Sequence, residues 1–377
     1  MQYLLQLFKN YATFLIPGAL EGFIFINHRI IVANMKAAVY YGVQKLSVEN
    51  MNDPSINDNE ILIKPIVVGV CPTDVRIYYE GSSSVKPPVV LGHEVSGIVV
   101  ESRNPNFVPG DRVNVAADAP CMNCRYCRRG LHNLCDDMLS IGFNVDGAYA
   151  TLMRVPRRFL DDNLVFKLPN DASFEDGALI EPVAVSLNAL SLVYPSNEDN
   201  VVVIGDGPNA LIHLMLLRNY FKVSKITVVG LLDHRLSEAL KLGADYVINL
   251  NTINRPLNEL RFEIKHPIDI IDVTVGNKNS IIEAISLTEK GTRIVFFGGS
   301  HPDVELPLTL NKVHYNQLLV TGSSGTTISN YKKAYELIIN GVVRPGILIT
   351  HKYSLNEILT AFETAKLGKG LKVAVTP

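Results

Sequence analysis

Several things are scarce in this chain of 377 residues, and each scarcity narrows what it can be. Cysteine is one: there are five, Cys71, Cys121, Cys124, Cys127 and Cys135, and four of them share one short stretch. A secreted disulfide scaffold is shorter and spreads its cysteines more widely, so the pattern points to metal binding in a reducing compartment. Excess charge is also lacking. Thirty-five Lys and Arg stand against 37 Asp and Glu, the formal net charge is −2, and no long basic run breaks the balance. That removes the electrostatic case for nucleic acid or a membrane surface as a partner. A long apolar run is missing too. Even within the apolar residues 1–34 the longest charge-free segment runs only from Asn10 to Leu20 and contains Pro17-Gly18, whereas about 20 apolar residues are needed to span a bilayer. Tryptophan is absent, which excludes nothing. There is no internal repeat and no low-complexity segment.

What remains is the composition of a soluble globular protein, 47% hydrophobic and 19% charged. The length calls for two domains. Met35-Lys36-Ala37-Ala38-Val39-Tyr40 reads as a natural first strand, so residues 1–34 are expected to be an upstream extension outside the fold. From Met35 to about residue 165 the signals are β: Glu60 to Val68 and Val95 to Val100 are β-branched runs bounded by Asn52-Asp53-Pro54 and Pro109-Gly110-Asp111 turns. A small barrel-like β domain is expected there. From about residue 200 the rhythm changes. Strands at Val201–Ile204, Ile226–Val229, Tyr246–Ile248, Ile268–Val273 and Arg293–Phe297 alternate with helices at Pro208–Asn219, Leu236–Leu242 and Ile281–Leu287. That alternation predicts a parallel, doubly wound sheet, an α/β architecture. Helices at Tyr331–Ile339 and Leu355–Lys366 and a short strand at Leu371–Val375 close the chain.

Three motifs carry chemistry. Cys121-x2-Cys124-x2-Cys127-x7-Cys135 supplies four thiolates, enough to close a tetrahedral zinc site with no open position, the structural type. A zinc ribbon for nucleic acid would use the same ligands, but Arg125, Arg128 and Arg129 are thin support for it. Gly69-Val70-Cys71-Pro72-Thr73-Asp74, Gly92-His93-Glu94 and Glu181-Pro182 gather S, N and O donors suited to a zinc site that keeps one position for water or substrate. Gly205-Asp206-Gly207-Pro208-Asn209-Ala210 follows a buried strand and opens a helix, the context required of the dinucleotide fingerprint G-x-G-x-x-G/A. There Gly205 permits the tight turn, Gly207 the approach of a pyrophosphate, and Ala210 close packing of helix on strand; the phosphates would meet the free N–H groups of the helix N-terminus.

In this order, and with Gly110-Asp111-Arg112-Val113 between them, these motifs resemble those of the medium-chain zinc-dependent alcohol and polyol dehydrogenases over about Met35 to Pro377, most closely the sorbitol, threonine and sugar dehydrogenase branch, where a glutamate occupies the Glu181 position. The resemblance implies a GroES-like β-barrel catalytic domain of residues 35–183 and 323–377, with a Rossmann domain, 184–322, inserted between. It implies one catalytic and one structural Zn²⁺. Cys71 and His93 would be ligands, with Glu94 and Glu181 close by and either one touching the metal. Thr73 would accept the substrate's hydroxyl proton and Asp74 would hold His93 or nearby backbone. The chemistry implied is Lewis-acid activation of a hydroxyl and hydride transfer to nicotinamide. The resemblance further implies a small alcohol, polyol or sugar substrate and a cytoplasmic homo-oligomer, a tetramer. A threonine 3-dehydrogenase and a catalytically inactive binding protein of the same fold are the rival readings; the intact Cys71, Thr73, His93 and Glu181 set argues against the second. Two positions depart from the pattern. Arg76 stands where some relatives carry a proton-relaying His, and Gly322 to Thr327 lacks the arginine and aromatics of animal sorbitol dehydrogenases.

The cofactor, NADP or NAD, is read from the end of the second strand. NAD-dependent relatives place an acid there to bind the ribose 2′-OH. Here Gly230 stands in that place, Leu231 and Leu232 follow, and His234 and Arg235 lie near enough to pair with a phosphate. Asp233 is the one acid close by. The expectation is a preference for NADP.

Overall fold

The computed structural model describes residues 34–253, 259, 261, 263–300 and 302–377. The expected extension, residues 1–34, lies outside the described residues except for Asn34. The first strand starts at Met35, where the sequence places it, and runs to Gly42.

Two larger sheets and a two-stranded pair, Asp118–Ala119 with Leu139–Ser140, make up the β-rich part. Met35–Gly42 sits between Lys45–Met51 and Val89–Val90 in a three-stranded sheet. A seven-stranded sheet is built on Ile61–Gly69, which pairs antiparallel with Glu94–Ser102 on one side and with the C-terminal strand Lys372–Thr376 on the other. The helix Pro72–Glu80 interrupts the strands where the sequence suggested only β structure. Proline at its first turn suits a helix start, since its missing N–H is unneeded there.

Asn200–Ile204, Lys225–Gly230, Tyr246–Asn249, Ile270–Val273, Arg293–Phe296 and Leu319–Gly322 form a six-stranded sheet, every pair parallel. Numbered along the chain, their spatial order is 3-2-1-4-5-6, the doubly wound order whose direction reverses between the first and fourth strands. The strands read as continuous apolar runs because both faces are covered: Val201 and Val203 pack into one core, Val202 and Ile204 into the other. The helix Pro208–Leu216 ends three residues earlier than expected and passes into a π-helical turn, Leu217–Phe221. After Gly322 the chain returns through Ile328–Ile339 to the first part, so its last strand lies beside one of its earliest.

Candidate active site

The seven-stranded sheet assembles the first cluster by register. Gly69 is paired with Glu94 across the ladder. Cys71, just past the end of one strand, therefore faces His93 and Glu94 at the start of the other. One donor atom from each of Cys71, His93 and Glu94 lies within 4.8 Å of the others. Gly69 is required by this arrangement: a β-carbon there would stand 1.9 Å from Glu94 Oε2. Glycine lets the carboxylate lie flat against the neighbouring strand.

Asp74 braces the cluster from below. It is fully buried, accepts a hydrogen bond from the Tyr149 hydroxyl at 2.8 Å and one from the Cys71 amide at 3.3 Å through Oδ2, and turns Oδ1 toward His93 Nδ1 at 3.3 Å. Burial first and then Asp74 hold the Tyr149 pKa well above its ordinary value, so the phenol stays a donor. Burial opposes a charged His93, but Asp74 and then the Cys71 sulfur outweigh it and raise its pKa well above the ordinary imidazole range. Thr73 is half-buried in the same helix turn, and Arg76 stands one turn on.

Lys372 belongs to no motif that marks it in the sequence. Its ammonium lies 2.7 Å from each oxygen of Glu94, with hydrogen-bond geometry only to Oε1. Both side chains are about 1% exposed. Burial lowers the Lys372 pKa, yet Glu94, with Cys71 and Glu181, more than reverses this and the net shift is upward. Glu181, in the first turn of the helix Ile180–Ser191, lies outside the tight cluster but inside the same buried field. Desolvation raises its pKa to about 7, with His93 pulling down and Glu94 and Asp118 pushing up. Asp118, also missed, is raised by burial against the Ser140 hydroxyl that donates to it. The residues fit a divalent cation. Glu94 Oε2 is buried without a hydrogen-bond partner, and soft and hard donors converge on it.

Cys121, Cys124, Cys127 and Cys135 form the second cluster, again within 4.8 Å, and none of the five cysteines is disulfide-bonded. Backbone amides point at the sulfurs: Cys121 N to Cys135 at 3.1 Å, Cys124 N to Cys121 at 3.3 Å, Asp137 N to Cys135 at 3.4 Å. Amides led by that of Cys127 pull the Cys124 thiol down to about 6, while burial pushes Cys127 up to about 12. That split is the behaviour of thiols that cannot all ionise together without a cation. The lobe is tied to the segment following the parallel sheet, through Asn133 Nδ2 to Ser324 O at 2.8 Å and Ile328 N to His132 Nδ1 at 3.4 Å.

The glycine turn lies at the carboxyl end of the first parallel strand, beside the switch point where such sheets bind ligands. Gly205 has φ +127° and lies against Thr274, whose hydroxyl would be 2.2 Å from a β-carbon. Gly207 is the N-cap of Pro208–Leu216 and has no side chain to cap it. Nothing lies within 4 Å of its missing β-carbon except an Arg235 nitrogen at that limit. Ala210 is buried against the core. An uncapped helix N-terminus under open space fits a pyrophosphate. Asn209, in the first turn, is half-buried.

The end of the second strand carries an acid from another element. Gly230 does not leave the place free of an acid, because Asp206 fills it. A β-carbon at 230 would meet the Asp206 β-carbon and Oδ2 at 2.6 Å. Arg235 is neither solvated nor idle: Nε and Nη2 donate to Gly370 O at 3.2 and 2.8 Å, and Nη1 lies 3.8 Å from Asp206 Oδ1.

Residues 57–169 match the model of the alcohol dehydrogenase GroES-like domain, and residues 211–340 match that of the zinc-binding dehydrogenases. Over 353 residues the chain is 31% identical to sorbitol dehydrogenase of Bacillus subtilis (strain 168), a match covering 91% of this chain and 98% of that one. The chain belongs to the zinc-binding alcohol dehydrogenase family. It is 30% identical to L-idonate 5-dehydrogenase of Vitis vinifera over 89% of its length and 93% of the relative's. A zinc-binding dehydrogenase of Sinorhizobium meliloti 1021, solved bound to NADP, shares the fold at a TM-score of 0.84 and 24% identity, covering 92% of this chain and all of that one. As a zinc-binding alcohol dehydrogenase, the chain combines a GroES-like part with a Rossmann part and is an enzyme that moves hydride between an alcohol and NAD(P). Among the described residues, no helix is long and apolar enough to cross a membrane.

Proposed function

We propose that this dehydrogenase acts on a secondary hydroxyl of a polyol or sugar, and on the matching ketone in reverse. The observation that carries the reading is the convergence of Cys71, His93 and Glu94 within 4.8 Å, braced by Asp74 and Lys372. The sorbitol and idonate dehydrogenases among its relatives support the substrate class.

In this reading Cys71 and His93 ligate the catalytic zinc, with a carboxylate from Glu94 or Glu181 completing the protein's share. His93 turns Nδ1 to Asp74, which leaves Nε2 for the metal. Zinc, when bound, acts as a Lewis acid on the substrate oxygen. Thr73 takes the hydroxyl proton. Asp74 fixes the imidazole ring, and Tyr149 fixes Asp74. Lys372 pairs with Glu94 inside the protein. Arg76 cannot act as a base, so the proton leaves by water or the cofactor ribose. Cys121, Cys124, Cys127 and Cys135 hold a second, structural zinc. Gly205, Gly207, Pro208, Asn209 and Ala210 form the turn that receives the dinucleotide, NAD or NADP. We assign 35–183 with 323–377 to the catalytic domain and 184–322 to the nucleotide-binding domain. We also assign a homotetramer and, from the unbridged thiols, the cytoplasm.

The test is reduction or oxidation of nicotinamide across a panel of polyols, sugars, simple alcohols and threonine. Turnover of polyols is expected. Activity confined to threonine would replace the substrate class, and no turnover despite bound zinc and cofactor would sink the catalytic reading.

A further inference from the structure

We propose that Asp206, the middle residue of the glycine turn, is the carboxylate that reads the adenosine ribose, and that it makes this enzyme prefer NAD over NADP. The proposal rests on the glycine turn being the dinucleotide site.

A Rossmann site separates the two cofactors at the end of its second strand, where an acid accepts a ribose hydroxyl and repels a 2′-phosphate. In this chain the residue at that point is Gly230, and by residue type alone the repulsion is gone. The fold restores it from another element. Asp206 leans across from the first strand's turn, and its Oδ2 accepts the amides of Leu231 at 2.7 Å and Leu232 at 2.8 Å. Those are the two residues that follow Gly230, so the carboxylate is pinned to the strand end. Oδ2 stands 2.6 Å from where a β-carbon at position 230 would be, so the carboxylate fills the space that a side chain at 230 would enter. Gly230 is the complement of Asp206, since a side chain at 230 and the carboxylate cannot occupy one space.

The permanently charged group that would welcome a 2′-phosphate, the Arg235 guanidinium, is already engaged. Arg235 spends Nε and Nη2 on the Gly370 carbonyl, which fastens the nucleotide-binding part to the C-terminal segment, and its remaining nitrogen faces Asp206 Oδ1 at 3.8 Å. A 2′-phosphate would have to draw Arg235 away from both and then sit beside the Asp206 charge. Asp206 is 9% exposed, so little water is present to screen that repulsion. The other acid at this rim, Asp233, is exposed and accepts from Asn249 Nδ2. It adds negative charge and no cation.

The experiment measures binding by calorimetry, independently of turnover, using NADH, NADPH, ADP-ribose and 2′-phospho-ADP-ribose on the zinc-loaded enzyme. The wild type is expected to bind each non-phosphorylated ligand between about 10- and 100-fold more tightly than its 2′-phosphorylated partner, the range of a charge-assisted hydrogen bond. Asp206→Asn keeps an oxygen for the two amides and removes the charge; it should reduce that ratio about tenfold, mainly by strengthening the phosphorylated ligands. Asp206→Ser is the second variant, and circular dichroism shows that each is folded. Tighter wild-type binding of the 2′-phosphorylated ligands overturns the proposal whether or not the variants fold, as does an unchanged ratio in folded Asp206→Asn. Failure of the wild type to bind any of the four ligands overturns the dinucleotide site itself.

Discussion

Removing the Lys372 ammonium while keeping its length, as in Lys372→Met, tests the buried Lys372–Glu94 pair. Nζ lies 2.7 Å from both oxygens of Glu94, and each partner's side chain is about 1% exposed. At that separation two unit charges attract by about 6 kcal/mol at an effective dielectric near 20. Desolvation of both groups offsets much of this, so the pair as a whole contributes little beyond a well-packed apolar pair. Breaking it from one side is another matter. Lys372→Met leaves Glu94 buried against Gly69 with no cation, and Glu94→Gln leaves an ammonium in the same place. Each should cost about 3–5 kcal/mol. The double variant buries neither charge and should be more stable than either single variant. Urea unfolding of the wild type, both singles and the double, followed by tyrosine fluorescence in a chain that has no Trp, gives the cycle. If the double variant loses the sum of the two single losses, the carboxylate and ammonium are not a pair in solution and the reasoning fails.

His93→Ala should lose one zinc per chain and all turnover with little change in Tm, whereas Cys124→Ser should lose the other zinc and lower Tm; metal analysis with calorimetry checks this, and equal loss of folding from both would refute the division. Glu181 gives a pH signature once the Cys71 site has been emptied by a mild chelator. Burial raises its pKa from 4.5 to about 7, so between those values the folded state holds a proton that the unfolded chain has lost, and stability falls as pH rises across that window, by about 3 kcal/mol in all at 1.36 kcal/mol per unit. Tm against pH should slope downward there and be flatter in Glu181→Gln; an identical slope in the variant would refute the assignment.

Much of the site was legible because it rests on local chemistry. Cysteine spacing, Gly-His-Glu and a strand–glycine–helix succession each carry their meaning within a few residues, and the register Gly69↔Glu94 then joins what the motifs separate. The parallel sheet was legible for a similar reason: strands buried on both faces read as unbroken apolar runs. The misses share a different physics. Ile180–Ser191 is buried on nearly every side, so it has no polar face to give it a helical period. Ile349–Ser354 is a half-exposed strand whose alternation is short and mixed. Lys372 looks like a stray charge in a terminal strand until that strand is placed beside Ile61–Gly69. Asp206 occupies one of the three positions in its motif that the glycine pattern leaves unspecified. Its role depends on Gly230, 24 residues on, and the two can be paired only when the strands are side by side.

The charges of the site also explain why protons and zinc must compete for it. Asp74, Glu94 and Glu181 are buried acids in one region, with the half-buried Asp118 and the Cys71 thiol beside them, and Lys372 is the buried lysine among them. A low-dielectric interior does not tolerate that imbalance, and in the metal-free chain protons correct it. Asp74 and Cys71 raise the His93 pKa well above the ordinary imidazole range against the effect of burial, and burial raises that of Glu181 to about 7. A dication bound by Cys71 and His93 supplies the same positive charge. It also requires His93 to be neutral and the sulfur to be a thiolate. Zinc therefore enters by displacing protons, and its hold on the site weakens as pH falls. The Cys121–Cys135 lobe follows the same rule with thiols alone: Cys124 ionises readily and Cys127 resists until a cation arrives. On the assignment proposed above, the positive charge that each cluster lacks is the metal's.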